Sequence, residues 1–423
     1  MPGEIERITQ NRIVKLFTEK EGLNYSYLGD WEERDGNSNI EVNLLTKYLE
    51  RQGYSAAHIT RAIFELQSVA TNFNDSLYTT NKKVYELLRF GVKVKVNAGD
   101  NYETVKLFNW KNPLENDFAI AEEVTYRGNK TKRPDIVIYV NGIALAVLEL
   151  KRGIVDIGEG IRQNITNQQD RFIQPFFATV QILFAGNDSE GLRYGTVGTE
   201  EKWYLSWKED LDDDSQLMLD KYLQKMCDKT RFMELLYDFI LFDGGIKKLP
   251  RVHQYFGVKE AEKFVKRYEG GIIWHTQGSG KSLTMVYLAK WILENNPNAR
   301  IAILTDRTEL DKQIEDVFTD AGEQIYRTSS GKDLMAKLGE EKPRLLCSLM
   351  HKFGNKEGSD GKDSKKFDEF IKEITENPIP VAGELIVFID ECHRTQNKEG
   401  KLHKTMKAML PNAVFIGFTG TPL

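Results

Sequence analysis

The sequence is poor in cysteine, and its three thiols (Cys227, Cys347 and Cys392) lie too far apart for a disulfide framework or a thiolate metal site. Reduced cysteines are expected. The six histidines show none of the paired spacings of a zinc site, so any metal would be held by carboxylates or phosphates. No apolar run approaches the ~20 residues that a membrane span needs. The opening, Met1 to Arg7, has no basic stretch leading into an apolar one, so no secretory signal is visible and a cytoplasmic place, away from membranes, is expected. A positive excess is missing too. The 58 Lys and Arg against 63 Asp and Glu leave a net charge of −5, which excludes a protein that coats nucleic acid through general basicity. Any contact with DNA must be local. What is present is length: 423 residues, 40% of them hydrophobic, suffice for two or three domains, each with its own core.

Periodicity divides the chain. Residues 40–53 read as an amphipathic helix stopped at Gly53, and a second helical tract follows over 56–69. The period then changes to two: Val92, Val94 and Val96 alternate with lysines, and 136–151 is a longer β-branched stretch interrupted by Asn141-Gly142, a strong hairpin signal. Residues 181–184 make another short strand before polar, acidic text at 187–191 and 209–214, where a domain edge is expected. The tract 217–242 is helical in spacing and reads as a connecting segment. Beyond Arg251, strands at 271–274, 300–304, 344–347, 385–389 and 414–418 alternate with helices at 282–293 and 310–318, the pattern of a mostly parallel sheet covered on both faces. Residues 354–366 read as a surface loop, and no internal repeat is found.

The strongest chemical signal is His275-Thr276-Gln277-Gly278-Ser279-Gly280-Lys281-Ser282 between an apolar strand and a helix. In that context Gly278 and Gly280 let main-chain N–H groups close on a phosphate, and the helix N-terminus adds its dipole. Lys281 reaches β/γ oxygens and Ser282 holds Mg²⁺. The usual first glycine of such a loop is His275 here. A second signal is the apolar strand 386–389 running into Asp390-Glu391. Acids at a strand's carboxyl end lie beside the phosphate site, Asp390 to hold Mg²⁺ and Glu391 to position or deprotonate the attacking water.

In the first half, Asp135 opens one strand and Glu149 and Lys151 close its partner. Side chains alternate along a strand, so Glu149 and Lys151 share a face, and pairing across Asn141-Gly142 brings Asp135 to the same corner. Two carboxylates and a lysine there suit Mg²⁺-dependent phosphodiester hydrolysis. The alternative is an ordinary hairpin with solvated charges, and Glu41 on the first helix is either a further acid of this centre or part of a solvated helix face.

The residues of the second half resemble superfamily 2 helicases and translocases. The resemblance implies an adenine-recognising role for Gln254, a nucleic-acid-backbone contact for Thr305-Asp306-Arg307, and coupling of hydrolysis to movement for Phe418-Thr419-Gly420-Thr421-Pro422. It further implies that Thr276, Gly278, Ser279, Gly280, Lys281, Ser282 and Asp390 hold ATP with Mg²⁺. The chain stops directly after this last motif, and a second motor lobe with its arginine finger is expected outside it. The first half resembles PD-(D/E)xK nucleases, with Asp135, Glu149 and Lys151 as the cutting centre. Gln163 stands at the glutamine of that family's Gln-x-x-x-Tyr element and Asn167 at its tyrosine. Together the halves resemble the restriction (R) subunit of a type I restriction-modification enzyme. The fold expected is α/β: a nuclease-like domain over 1–215, a helical linker over 216–250 and a first RecA-like lobe over 251–423. The resemblance implies ATP-driven translocation on double-stranded DNA and cleavage of it, in a complex with methylation and specificity subunits. A remodelling helicase whose first domain only binds DNA, and an ATPase used as a signalling switch, are the alternatives.

Overall fold

The computed structural model describes residues 2–72, 74–97, 99–209, 216–305, 325–349, 381–390, 407 and 410–421. The chain divides between Val252 and His253 into two units.

The first unit is built on a seven-stranded sheet. Helix α1 (Pro2–Thr18) leads into strand β1 (Ser26–Asp30), followed by helices α2 (Val42–Arg51), α3 (Ala56–Ala70) and α4 (Leu77–Phe90). Ser55 and Ser76 start α3 and α4, their hydroxyls accepting from the N–H groups of His58 and Thr79. A small ribbon, β2 (Val92–Val94) with β3 (Glu103–Val105), precedes β4 (Phe118–Glu122), a second ribbon of β5 (Tyr126–Arg127) and β6 (Thr131–Lys132), and the hairpin β7 (Ile136–Val140) and β8 (Ile143–Leu150). Helix α5 (Ile157–Asn167) crosses to β9 (Ile182–Asn187), β10 (Gly191–Gly195) and β11 (Leu205–Ser206). The sheet order is β1-β4-β7-β8-β9-β10-β11, with β1/β4 and β8/β9 parallel and β4/β7 and β7/β8 antiparallel. Every residue of β7 and β8 is buried, which is why both read as continuous apolar runs. Tyr139, Val147, Ile161 and Phe176 share one core on the face that α5 covers.

Residues 216–250, expected from sequence as a linker, form α6 (Met218–Cys227), α7 (Lys229–Asp238) and the hairpin β12 (Leu241–Asp243) and β13 (Ile246–Lys248), all within the first unit. The single helical tract is broken at Asp228, whose carboxylate caps α7 by accepting from the N–H groups of Thr230 and Arg231 at 3.1 and 3.0 Å. Lys247, fully buried, donates to Asn81 Oδ1 at 2.8 Å and Gln181 Oε1 at 2.6 Å, tying β13 to the entrance of β9.

The second unit is opened by α8 (Val252–Lys266). Its six strands β14 (Gly271–Trp274), β15 (Ala299–Thr305), β16 (Ile325–Arg327), β17 (Leu345–Leu349), β18 (Glu384–Asp390) and β19 (Val414–Thr419) are all parallel, in the order β14-β19-β18-β15-β17-β16. Helix α9 (Lys281–Asn295) follows β14 directly. Strand β16 and the helix Gly331–Leu338 were not foreseen. The former is three residues long, too short to show a period. Two arginines satisfy helix ends: Arg300 donates to Leu338 O and Lys337 O, and Arg344 to Leu293 O and Asn296 O, at 2.6–2.8 Å. The expected helix at 310–318 and loop at 354–366 lie outside the described residues. Among those described, no helix is long and apolar enough to cross a membrane.

The β7–β8 turn carries the first unit's register. Asn141 and Gly142 both have positive φ, 51° and 81°, as a two-residue turn between twisted strands requires. A Cβ on Gly142 would stand 2.7 Å from Leu44 Cβ and 2.8 Å from Glu41 O. Gly142→Ala is therefore expected to lower stability by about 2 kcal/mol or more, through backbone strain and overlap with α2. A urea midpoint equal to wild type would contradict this account.

Candidate active sites

In the first unit the hairpin ends at a pair of carboxyls. Asp135 precedes β7, Glu149 lies near the end of β8, and the two carboxyls hydrogen-bond each other. Asp135 Oδ2 also accepts from the N–H of Leu150 at 2.6 Å. Glu149 is fully buried. Burial first, then the charge of Asp135, push its carboxyl well above the usual range, while Lys151 opposes the shift. Gln163, one turn and a half into α5, donates to Glu149 Oε2 at 2.5 Å, and Asn167, one turn later on the same face, donates to Oε1 at 3.3 Å. Asp135, Glu149, Lys151 and Gln163 are thus brought to one corner. Asn167 is buried here, so the tyrosine position of the family element faces the acid instead of solvent.

Glu123 is an acid that the sequence reading missed. It has a positive φ of 51°, its N–H donates to Asp135 O at 2.9 Å, and it raises the carboxyl of Glu149 further. Its own carboxylate accepts from Gln10 at 2.9 Å and pairs with Arg133 Nε at 2.7 Å. No motif marks it. Only the pairing of β4 with β7 puts residue 123 beside 135.

Glu41 belongs to neither of the roles expected for it. It is buried, forms a two-point ion pair with Arg34 at 2.7 and 3.1 Å, and its N–H donates to Gly142 O, at the turn end of the hairpin and away from the acid corner.

A divalent cation fits this corner, because a buried carboxyl held against a half-buried one repels it when both are anions, and a shared cation removes that repulsion. Among the described residues no group of three or more His, Cys, Asp or Glu side chains could hold a metal. Asp135 and Glu149 would therefore supply two ligands, a complement suited to Mg²⁺, which keeps waters and substrate oxygens for the rest.

In the second unit the phosphate loop joins β14 to α9. Gly278 and Gly280 have φ of 73° and 87°, and Gly280 is the residue at which α9 starts, with Lys281 in its first turn. Parallel pairing brings the carboxyl ends of four strands to one edge: Trp274 lies beside Thr419, and Asp390 beside Phe418. Asp390 is buried and accepts from Thr305 Oγ1 at 3.3 Å. Thr305 therefore faces the acid rather than a nucleic-acid surface, whereas Asp306, Arg307, Glu391 and Pro422 lie outside the described residues. A Cβ on Gly420 would stand 3.1 Å from Lys281 Nζ, so the 418–422 motif meets the loop lysine through its glycine.

Helix α8 braces the loop from below. His253 Nε2 lies 2.9 Å from Ser279 O, and Gln254, almost wholly buried, donates to Gly280 O at 2.9 Å. The glutamine read as adenine-recognising is here a support for the loop's backbone. His275, in the place of the usual glycine, stacks edge-on against His253 with ring centroids 4.9 Å apart. Its N–H donates to Thr419 O at 3.0 Å, and its buried Nδ1 has no hydrogen-bond partner. Burial, then His253 and Lys281, lower its pKa to about 4.

A mixed α/β sheet with paired carboxyls at a strand end is followed in the chain by a parallel, RecA-like α/β unit whose phosphate loop marks it as a nucleotide-binding lobe. Residues 5–203 match the family model for the type I restriction enzyme R protein N terminus, and residues 253–423 match that for the SWI2/SNF2 ATPase. The type I restriction enzyme HindI endonuclease subunit of Haemophilus influenzae is 32% identical over 392 residues, 82% of this chain and 35% of that one. The type I restriction enzyme SauMSSORF170P endonuclease subunit of Staphylococcus aureus is 26% identical over 355 residues, 81% of this chain and 36% of that one. Among solved structures, the Sulfolobus solfataricus SWI2/SNF2 ATPase core in complex with dsDNA is 14% identical at a TM-score of 0.32, over 44% of this chain and 34% of that one. The chain is similar to type I restriction enzyme endonuclease subunits over about four fifths of its own length, and it spans about a third of the length of the curated relatives it matches.

Two outcomes follow from the electrostatics. A carboxyl whose folded pKa is raised contributes its stability below the unfolded value near 4.5, and that contribution is lost as pH rises through the folded pKa. In metal-free buffer, Glu149→Gln should therefore raise the melting temperature at pH 8 by about 2–4 °C, the equivalent of about 1 kcal/mol, and by less near pH 4.5. An equal or opposite change at the two pH values would refute the buried pair. At His275 the folded pKa is depressed, so its stability is present above 6.5 and is lost as pH falls towards about 4. His275→Gln should lose less stability than wild type over that window, read as denaturant midpoints. Parallel acid profiles would show that the ring is not held neutral.

Proposed function

We propose that the chain is the nuclease and first motor lobe of a type I restriction enzyme subunit that uses ATP to move along double-stranded DNA and cuts it, in a complex with methylation and specificity subunits. The observation that carries this reading is the contact between the Asp135 and Glu149 carboxyls beside Lys151, in one chain with a phosphate loop. The family matches of both regions support it.

In the cutting unit Asp135 and Glu149 would hold Mg²⁺, which when bound lowers the pKa of water and neutralises charge on the scissile phosphate. Gln163 and Asn167 hold the two oxygens of Glu149 so that its carboxylate keeps one orientation. Lys151, from the same strand end, places a positive charge where the nucleophile and the phosphate meet. In the motor unit ATP is bound by the main chain of Thr276, Gly278, Ser279 and Gly280, with Lys281 on the β/γ oxygens and Ser282 and Asp390 placed to hold the accompanying Mg²⁺. Glu391, next after Asp390, positions the attacking water. Gln254 and His253 keep the loop's carbonyls turned away from the phosphates.

The test separates the two sites. In the full-length subunit assembled with its partners, Glu149→Gln should abolish cleavage while DNA-stimulated ATP hydrolysis continues. Lys281→Ala should abolish hydrolysis, and cleavage with it if cutting waits on movement. Cleavage by the Glu149→Gln enzyme at the wild-type rate would leave the hairpin as scaffold and favour a remodelling ATPase with a non-cleaving first unit.

A further inference from the structure

The ribbon β5–β6 stands immediately before Asp135. Its segment 127–133 carries Arg127, Lys130, Lys132 and Arg133 and no acid, in a chain whose net charge is −5. The ribbon is fastened to the loop that follows α5: Asn129 N–H donates to Phe172 O at 3.0 Å and its amide to Asp170 O at 2.6 Å. Gly128 permits this approach, since a Cβ there would stand 2.4 Å from Phe172 O. Around the Phe172 ring gather three cations, with Lys132 Nζ at 4.6 Å, Arg171 Cζ at 5.1 Å and Lys130 Nζ at 5.6 Å from its centroid.

Neighbouring charges sort these groups. Arg127 pairs with Asp35, and Arg133 with Glu32 and Glu123. Asp170 turns its carboxylate onto the N–H of Arg171. No ion pair with a carboxylate is found for Lys130, Lys132 or the Arg171 guanidinium among the described residues. Three like charges around one ring repel one another, and the ring's quadrupole offsets only part of that. An extended polyanion relieves all of it at once. Both strands of this surface lead to the acid corner, the ribbon into Asp135 and the loop back through Asn167 to Glu149. A phosphodiester backbone approaching two carboxylates is repelled unless cations flank the entry.

We propose that the β5–β6 ribbon and the loop 168–172 grip the DNA backbone next to the cut, with Lys130, Lys132 and Arg171 each meeting a phosphate and Phe172 keeping their stems apart. This rests on the reading of the first unit as a DNA-cutting centre. Phosphate contacts carry no sequence information, so the grip serves any DNA that the motor delivers.

The experiment is the salt dependence of binding of the chain to a short blunt duplex. Each phosphate contact contributes about 0.9 to the slope of log affinity against log salt. The triple variant Lys130→Gln, Lys132→Gln, Arg171→Gln should show a slope shallower by about 2–3, equally on two duplexes of unrelated sequence, with its melting temperature unchanged. The Lys130→Arg, Lys132→Arg pair should keep the wild-type slope. A slope in the triple variant equal to wild type, or no salt-dependent binding by wild type, overturns the grip whether or not the enzyme cuts. A slope lost as expected, in an assembled enzyme that cuts normally with Glu149→Gln, leaves the grip standing and removes the nuclease reading.

Discussion

Two carboxyls that repel each other are held in contact at the end of a fully buried hairpin, and the first unit is organised around that contact. Keeping Asp135 against Glu149 needs rigid support on every side. Strands β7 and β8 supply it by burying all their residues, the Asn141-Gly142 turn fixes their register, and α5 adds two amides that engage both oxygens of Glu149. Buried charge without such partners would cost several kcal/mol. The turn is itself pinned: the Asn141 amide donates to Leu107 O and Asn116 Oδ1, and its Oδ1 accepts from Asp117 N–H. A side chain read first as a hairpin signal thus also anchors the far end of the hairpin in a polar network.

The second unit solves a different problem, that of presenting backbone donors to an anion. Positive φ at Gly278 and Gly280 shapes the loop, and α8 takes up its carbonyls through His253 and Gln254. The all-parallel sheet does the rest, because it places the ends of β14, β19, β18 and β15 on one edge and so gathers the loop, Thr419, Asp390 and Thr305 without any long-range side-chain contact having to specify it.

Much of this was legible in the sequence because it rests on local rules. Asn141-Gly142, the apolar runs on either side and the Gly278-Ser279-Gly280-Lys281 loop each carry their geometry in neighbouring residues. What escaped depends on partners far along the chain. Asp228 breaks a continuous helical pattern because its carboxylate caps the following helix, a role that spacing alone does not reveal. Gln254 looks the same in sequence whether it faces a base or the carbonyl of Gly280. Glu41, weighed as a solvated or catalytic acid, is a buried ion-pair partner of Arg34, and Glu123 reaches the acid corner only through strand pairing.

The buried state of Glu149 has a further consequence, for exchange rather than for structure. Burial and the charge of Asp135 favour the protonated form of Glu149, in which one proton is shared by the two acids. A divalent ion that came to this pair would have to displace that proton as it arrived. The apparent affinity for such an ion would rise with pH, and proton release would measure its filling. With no ion between them the two acids are occupied by each other.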